Sequence, residues 1–434
     1  MRSARYRELW NLLFVALVTA IGFLSVYTAR QQEIDSTSLI YAGYFLALYA
    51  VAHIGLRAGL PDADPWLLPL AALLTAVGLI EIYRLNPTLA RDQSIWIVVG
   101  LAGFLALILL VGDVRRLESY KYTLGALAVT LLLLTMVVGT EINGARLWIR
   151  LGGIQVQPGE FSKLLLVVFL AGYLREKQEV LSMSHRTILG IGFPAVRHLG
   201  PLLTMTGIAL AVVAVMNDMG TALLLFGIFL AMLYVATGRS LYTVVGLALF
   251  AAGSWFVYQT AGHVRERFSI WLNPWPDSRD TGYQLIQTIE SIADGGLFGS
   301  GLGRSFQLLD NGSTIIPAAQ TDGIYAVWAN ETGLAGAAGL LIVYLLFAYR
   351  GFKTATIASD GFSKLLAVGL TSVFALQVFV IVGGVTRVIP LTGVTLPFVS
   401  YGGSSIVANM VLLALLLIVS DRARVDARRR GGLV

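Results

Sequence analysis

The chain has 434 residues, 56% hydrophobic and 13% charged, with a mean hydropathy of +0.76 and a formal net charge of +6. Soluble domains run near a quarter charged, so a water-soluble fold is excluded. The lack of cysteine excludes disulfides, thiol nucleophiles and thiolate metal sites, and the four histidines, His53, His185, His198 and His263, show no ligand spacing.

Apolar runs long enough to cross a bilayer recur near 9–28, 38–57, 65–84, 94–112, 120–139, 157–175, 199–216, 219–237, 240–260, 323–348, 363–385 and 395–420. The fold class predicted is therefore an all-α polytopic membrane protein of about twelve spans. MRSARYRELW precedes the first span without a following small-residue cleavage site, so a retained helix is expected. Basic residues collect at the N-tail (Arg2, Arg5, Arg7) and in alternate loops (Arg115, Arg116, Lys121; Arg175, Lys177, Arg186, Arg197; Arg350, Lys353, Lys364). The C-tail adds Arg422, Arg424 and Arg428 to Arg430. That bias places both termini in the cytoplasm and explains the positive charge without nucleic acid, for which no basic stripe with interleaved aromatics exists. The segment of about 261–322 is then one large extracytoplasmic loop, and Trp271, Trp275, Tyr283, Ile286, Ile289 and Phe298 argue that it is ordered. Residues 1–62 separate as a two-helix addition to a core over 63–434.

Four membrane segments carry polar groups that a bilayer tolerates only for a reason. In NGARLWIRLGGIQVQPGEFSK, Arg146 and Arg150 are i,i+4 neighbours if the segment is helical, and Glu160 and Lys163 share a face of the helix that Pro158 starts. The two readings are a self-neutralising pair and a polar wall facing a cavity for an anionic ligand; on the second, neither Glu160 nor Lys163 faces lipid. In NDMGTA, Asp218 reads as a helix cap for the Gly220 and Thr221 amides or as a functional carboxylate. In QTDGIYAVWANETG, capping accounts for Asp322 but not for Glu331, two turns into the span, which needs a partner. In RVIPLTGVTLPFVSYGGSS, two prolines and three glycines break a helix at membrane depth, where irregular backbone survives only inside protein or along a cavity. GLFGSGLG, Gly296 to Gly303, does not have P-loop spacing and reads as a hinge or a tight packing element.

These segments, with NPWPDSRDTGYQLIQTIESIADGGLFGSGLG, occur in the order found in the SEDS family of shape, elongation, division and sporulation proteins, and the chain resembles that family over about 66–420. The resemblance implies a ten-span core that polymerises lipid II at the outer face of the bacterial cytoplasmic membrane, working with a class B penicillin-binding protein that crosslinks the strands. The family's essential loop aspartate falls on Asp277; Asp280 is not carried over. Trp148, Gln284, Asp322, Ser400, Ser404 and Ser405 come with the motifs as candidates for substrate contact. Here the family's His-Thr-Asp reads Gln320-Thr321-Asp322, Glu-Glu reads Asn330-Glu331, and its Gln-Pro-Ser-Glu reads Gln157-Pro158-Gly159-Glu160. The proline before the second-site aspartate is Asn217. No carboxylate is lost, nor is Lys163, but a histidine-dependent mechanism is argued against. The short arginine-rich C-tail leans toward the elongation type.

Joining two lipid-linked sugars requires a base on the acceptor hydroxyl and stabilisation of a departing polyprenyl diphosphate. Asp277, stiffened by Pro274 and Pro276, is the expected base; Trp271, Trp275 and Tyr283 offer faces for sugar rings. Arg146, Arg150 and Lys163, with Arg387 as a further cation, are expected near the diphosphate. A divalent cation, Mg2+ or Mn2+, held between Asp277 and the diphosphate is compatible with this chemistry, though no metal motif is encoded. The rival readings are a lipid II flippase, which gives no reason for a base in an outer loop, and a non-catalytic scaffold, which does not need Glu160 and Lys163 in the membrane. A ligase of lipid-linked polysaccharide is more remote, sharing the layout but not the motifs.

Overall fold

The long apolar runs have too little polar side chain to satisfy their own backbone in lipid except by coiling, so they form helices. The computed structural model describes residues 2–29, 36–142, 144–182, 186–188, 191–193, 196–305 and 314–431. Asn143, which opens NGARLWI, and the side chains of Arg2, His185, Arg186, Arg197 and His198 lie outside that description. In chain order the helices are α1 (Arg2–Ala29), α2 (Ser36–Gly59), α3 (Leu67–Leu85), α4 (Pro87–Leu110), the short α5 (Arg115–Ser119), α6 (Lys121–Val138), α7 (Pro158–Ser182), α8 (Val196–Val215), α9 (Met219–Thr237) and α10 (Ser240–Thr260). They continue with α11 (Gly262–Leu272), α12 (Tyr283–Asp294), α13 (Ile324–Ile357), α14 (Gly361–Val385) and α15 (Gly403–Arg429). Every expected span has a helix over it. Among the described residues nine of these helices have the length and composition to cross a membrane, and the chain is a multi-pass membrane protein.

The chain forms two compact units. The first comprises Met1–Leu110, Gly262–Arg350 and Gln377–Leu417. Within it α1 packs on α2 and α3, and α4 on α2 and α3; α3 buries all but one of its side chains. The second comprises Val111–Ala261, Gly351–Leu376 and Ile418–Val434. Its centre is α7, packed against α6, α8 and α9, whereas α10 touches α9 and keeps no buried residue.

The reading of Arg146 and Arg150 as helical neighbours is corrected. The described residues around the NGARLWIRLGGIQV motif form an antiparallel meander, β1 (Thr140–Ile142), β2 (Ala145–Leu151) and β3 (Ile154–Val156), the last two strands joined by Gly152-Gly153. Alternating β-branched and aromatic residues around a Gly-Gly turn are a hairpin signal, which the arginine spacing masked. A further short hairpin pairs β4 (Arg186–Ile188) with β5 (Ile191–Phe193).

α13 is interrupted at Gly333, whose φ of 67° and ψ of −169° are not helical. The broken backbone is re-satisfied by the glycine-rich segment. The Ser300 and Gly301 amides donate to the Asn330 and Glu331 carbonyls at 3.0 and 2.9 Å, and the Leu334 and Ala335 amides to those of Gly296 and Leu297 at 2.9 and 3.1 Å. A Cβ at Gly299 would lie 2.1 Å from the Glu331 carbonyl oxygen, so only glycine fits. Gly296 to Gly303 is thus a packing element.

Candidate active site

Asp277 ends a single 3-10 turn, Trp275–Asp277, that Pro274 and Pro276 pre-set. The carboxylate is solvent-exposed and its Oδ2 accepts the Thr281 hydroxyl at 2.8 Å and the Thr281 amide at 3.3 Å. The turn closes with the Gly282 amide on the Asp277 carbonyl at 3.0 Å; a Cβ at Gly282 would sit 2.2 Å from the Pro274 carbonyl oxygen. The approach is pinned from the other side. Arg387 Nε donates to the Trp271 carbonyl at 2.7 Å, a terminal nitrogen of Arg387 donates to that of Leu272, and the Trp271 indole donates to the Arg387 carbonyl at 3.1 Å. Arg387, expected as a phosphate ligand, is therefore a clamp on the loop. Trp275 is exposed, Tyr283 half-buried, and Gln284 reaches the Pro317 carbonyl at 3.4 Å.

Asp322 lies just before α13, in the same unit, and is partly buried. Burial pushes its carboxyl up to about 6, against the opposing pull of the Thr321 side chain and the Arg267 charge. A carboxyl whose pKa is raised in the fold is stabilising while protonated, so its contribution is present below the unfolded value near 3.9 and lost as pH climbs toward 6. Thermal stability in detergent is expected to fall over that window by on the order of 1–3 kcal/mol and then level. Asp322→Asn should remove the slope; an unchanged slope in that variant would assign it elsewhere.

The broken segment before α15 is fastened by side chains. Ser400 Oγ accepts the Leu396 amide at 2.9 Å and donates to the Thr321 carbonyl at 2.6 Å. Ser405 Oγ meets Thr395 Oγ1 at 2.8 Å, and Gln93 Oε1 accepts the Gly402 amide at 3.1 Å. Ser400, Ser404 and Ser405 are all buried. Ser400 and Ser405 hold the break in shape and tie it to the Thr321-Asp322 turn.

Glu331 has the partner its depth demands, and it was not foreseen. The carboxylate pairs with Arg84 of α3 and accepts the Gly303 amide at 2.8 Å and the Ser305 hydroxyl at 2.9 Å, while Arg84 donates to the Ser305 carbonyl at 2.6 Å. Glu81, one turn before Arg84, is fully buried, and neither of its carboxyl oxygens has a hydrogen-bond partner among the described residues. The only sequence signal for both was a charge inside an apolar run.

In the second unit, Lys163 Nζ bonds Glu160 Oε1 at 2.9 Å, and both are buried at 2% and 6% exposure, so neither side chain faces lipid. Asp218 caps α9, accepting the Thr221 amide at 2.9 Å, and stands within electrostatic reach of both charges. In β2, Arg146, Trp148 and Arg150 alternate onto one face. The arginines are four strand residues apart, roughly 13 Å along the chain, and not one helical turn. Arg146 is paired with Glu141 at 3.2 Å beside a cavity of about 160 Å3 that Asn217 and Met216 also line. Arg150 is exposed and makes no ion pair among the described residues. No three His, Asp or Glu side chains gather to hold a metal ion among the described residues, so a divalent cation beside Asp277 would need substrate oxygens.

Among the described residues, the non-glycine positions with positive φ are Asn217, Ala318, Arg387 and Phe398. They adjoin Asp218, the Thr321-Asp322 turn, the clamp on the Asp277 loop and the broken segment. Such backbone costs about 1–3 kcal/mol and clusters where geometry is functional.

Residues 65–425 match the model of the cell cycle protein family FtsW/RodA/SpoVE. The peptidoglycan glycosyltransferase RodA of Mycobacterium bovis is 41% identical, across 99% of this chain and 93% of its own length. Stage V sporulation protein E of Bacillus subtilis is 32% identical over 83% of this chain and 98% of its own. The crystal structure of Thermus thermophilus RodA superposes with a TM-score of 0.60 at 28% identity, covering 83% of this chain and 97% of that one. A chain from a structure of a peptidoglycan synthase complex that coordinates polymerization and crosslinking gives 0.68 at 30% identity, over 83% and 98%.

Proposed function

The chain belongs to the FtsW/RodA/SpoVE family of cell cycle proteins, and from that premise we propose how its own residues perform the reaction. It is a peptidoglycan glycosyltransferase, in keeping with the 41% identity to glycosyltransferases of that name across nearly the whole chain. Its substrate is lipid II, joined into glycan strands at the outer face of the cytoplasmic membrane, for cell elongation and shape. Both termini are cytoplasmic, as the basic loops favour. The first two helices are an addition to the family core, which the family match from residue 65 supports. A class B penicillin-binding protein is the partner. The solved neighbour that coordinates polymerization with crosslinking supports that pairing.

Asp277 is the general base. The observation that carries this is an exposed carboxylate with one oxygen held by Thr281 and the other without a partner among the described residues, on a turn locked by two prolines and by Arg387. A base needs that combination of access and fixed aim. Trp275 and Tyr283 stack on sugar and Gln284 gives hydrogen bonds to it, and Trp148 is a further substrate-binding residue. Asp322, Ser400, Ser404 and Ser405 shape the surface that receives it. Lys163, with Glu160 orienting it, and Arg150 are the cations for diphosphate.

Arg150 is free to clamp and Arg146 is occupied by Glu141, so the two should differ. Arg150→Lys is expected to lower lipid II turnover at saturation about tenfold, because Lys lacks the bidentate fork, and Arg146→Lys to lower it less. Wild-type rates in Arg150→Lys would leave that arginine as an interfacial anchor. The direct test of the whole reading is the glycan product that the purified protein makes from lipid II with its partner, and its loss in Asp277→Asn.

A further inference from the structure

The two helices that precede the family match carry a site of their own. Between α1 and α2 runs a groove of about 240 Å3 whose walls include Leu9, Leu13, Phe45, Leu46, Ala50 and Ile54. Phe45 is buried in its floor while Leu9, Leu13, Leu46 and Ile54 stand exposed along its rim. Its rim is therefore apolar, a surface suited to acyl chains and not to water. The groove has room for roughly eight water-sized groups at ~30 Å3 each, the size of a segment of one aliphatic chain.

The groove has one polar end. His53, the one lining side chain able to carry a charge near neutral pH, faces Glu8, with His53 Nδ1 and Glu8 Oε1 2.6 Å apart. Glu8 also pairs with Arg5, and Arg5 donates to the Ala63 carbonyl. Since residue 8 meets residue 53, the helices are antiparallel and this end is the one nearest the N-terminus. The charges of that cluster answer one another. One turn beyond His53, on the same face of α2, stands Arg57, exposed and without an ion pair among the described residues. An apolar slot a single chain wide that ends at an unneutralised guanidinium complements an anionic amphiphile. Guanidinium grips phosphate oxygens in a bidentate fork, and basic pockets between membrane helices bind acidic head groups.

We propose that the α1–α2 groove binds one anionic phospholipid, its acyl chain along Leu9 to Ile54 and its phosphate on Arg57. The site is separate from the Asp277 loop, and its occupant is a bound membrane lipid, not the sugar-bearing substrate. Native mass spectrometry of the full-length protein in detergent, titrated with dioleoylphosphatidylglycerol or dioleoylphosphatidylcholine, tests it. Wild type should retain the glycerol lipid about fivefold better, the preference expected of one basic side chain at a lipid phosphate. Ala50→Phe, or Leu13→Trp on the facing wall, should abolish retention of both lipids by filling the groove. Arg57→Gln should keep retention but lose the preference. Melting in lipid-free detergent confirms that each variant is folded; of the two filling variants, the one that melts like wild type is read. Equal retention of the two lipids by wild type, undiminished retention in a folded groove-filling variant, or an intact preference in Arg57→Gln would each overturn the assignment.

Discussion

Asp277→Asn is expected to lower lipid II polymerisation by about 10²–10⁴-fold, the share a positioned base supplies, while leaving the melting temperature of the protein unchanged. Both halves follow from the geometry. The carboxylate is exposed, so it contributes little burial, and its described side-chain partner is Thr281, whose hydroxyl an amide oxygen can still accept. What asparagine lacks is basicity. Asp280→Ala should retain most activity, because in the structure the Asp280 carbonyl serves the turn through the Tyr283 amide at 3.2 Å, and alanine keeps that carbonyl. Lipid II consumption and thermal melting on the same preparations check the pair. An inactive Asp280→Ala beside an active Asp277→Asn would mean that the base is Asp280.

The largest stability effect is expected at Glu331. Glu331→Ala strips Arg84 of its buried counter-ion and leaves the Gly303 amide and the Ser305 hydroxyl without their acceptor. Removing one partner of a buried pair costs about 3–5 kcal/mol. The loss falls on the contact between the glycine-rich segment and the interrupted α13, so that segment should open first. The expected result is a sharp drop in detergent melting temperature, with hydrogen exchange at residues 296–301 rising before that of α3. The reverse substitution, Arg84→Met, should be as damaging, since it leaves Glu331 buried beside Glu81 with no cation between them. A Glu331→Ala protein that melts like wild type would show that the pair is energetically neutral here.

Much of this was legible in the chain. Long apolar runs give helices because the bilayer offers the backbone no alternative, whereas their limits shift where turns and breaks intervene, as before α15, which starts at Gly403. Glu160 and Lys163 were readable as a pair because a proline fixes where α7 starts and hence which residues share a face. Asp277 stood out only through the family resemblance of its loop, since two prolines around a tryptophan fix a turn but do not by themselves make its aspartate a base. The arginines of β2 were not readable, since i,i+4 spacing puts residues on one side of a helix and also on one side of a strand, and only the Gly-Gly turn separates the two. Arg84 as the partner of Glu331 was illegible for a different reason: the two are far apart in sequence, and nothing local marks a long-range ion pair. The use of Ser400 and Ser405 as fasteners has the same origin. A hydroxyl in a Gly-Ser-rich break looks alike whether it points at substrate or at the Thr321 carbonyl, and only the fold decides.

The central claim is that the chain forms glycosidic bonds and does not merely carry lipid II across the membrane. The most direct measurement incubates the purified protein, with the proposed penicillin-binding partner inactivated for crosslinking by penicillin, with lipid II and separates the products on a gel. The account predicts a ladder of glycan strands from wild type and unreacted lipid II from Asp277→Asn. An identical ladder from both, or translocation of lipid II with no ladder from either, would contradict it.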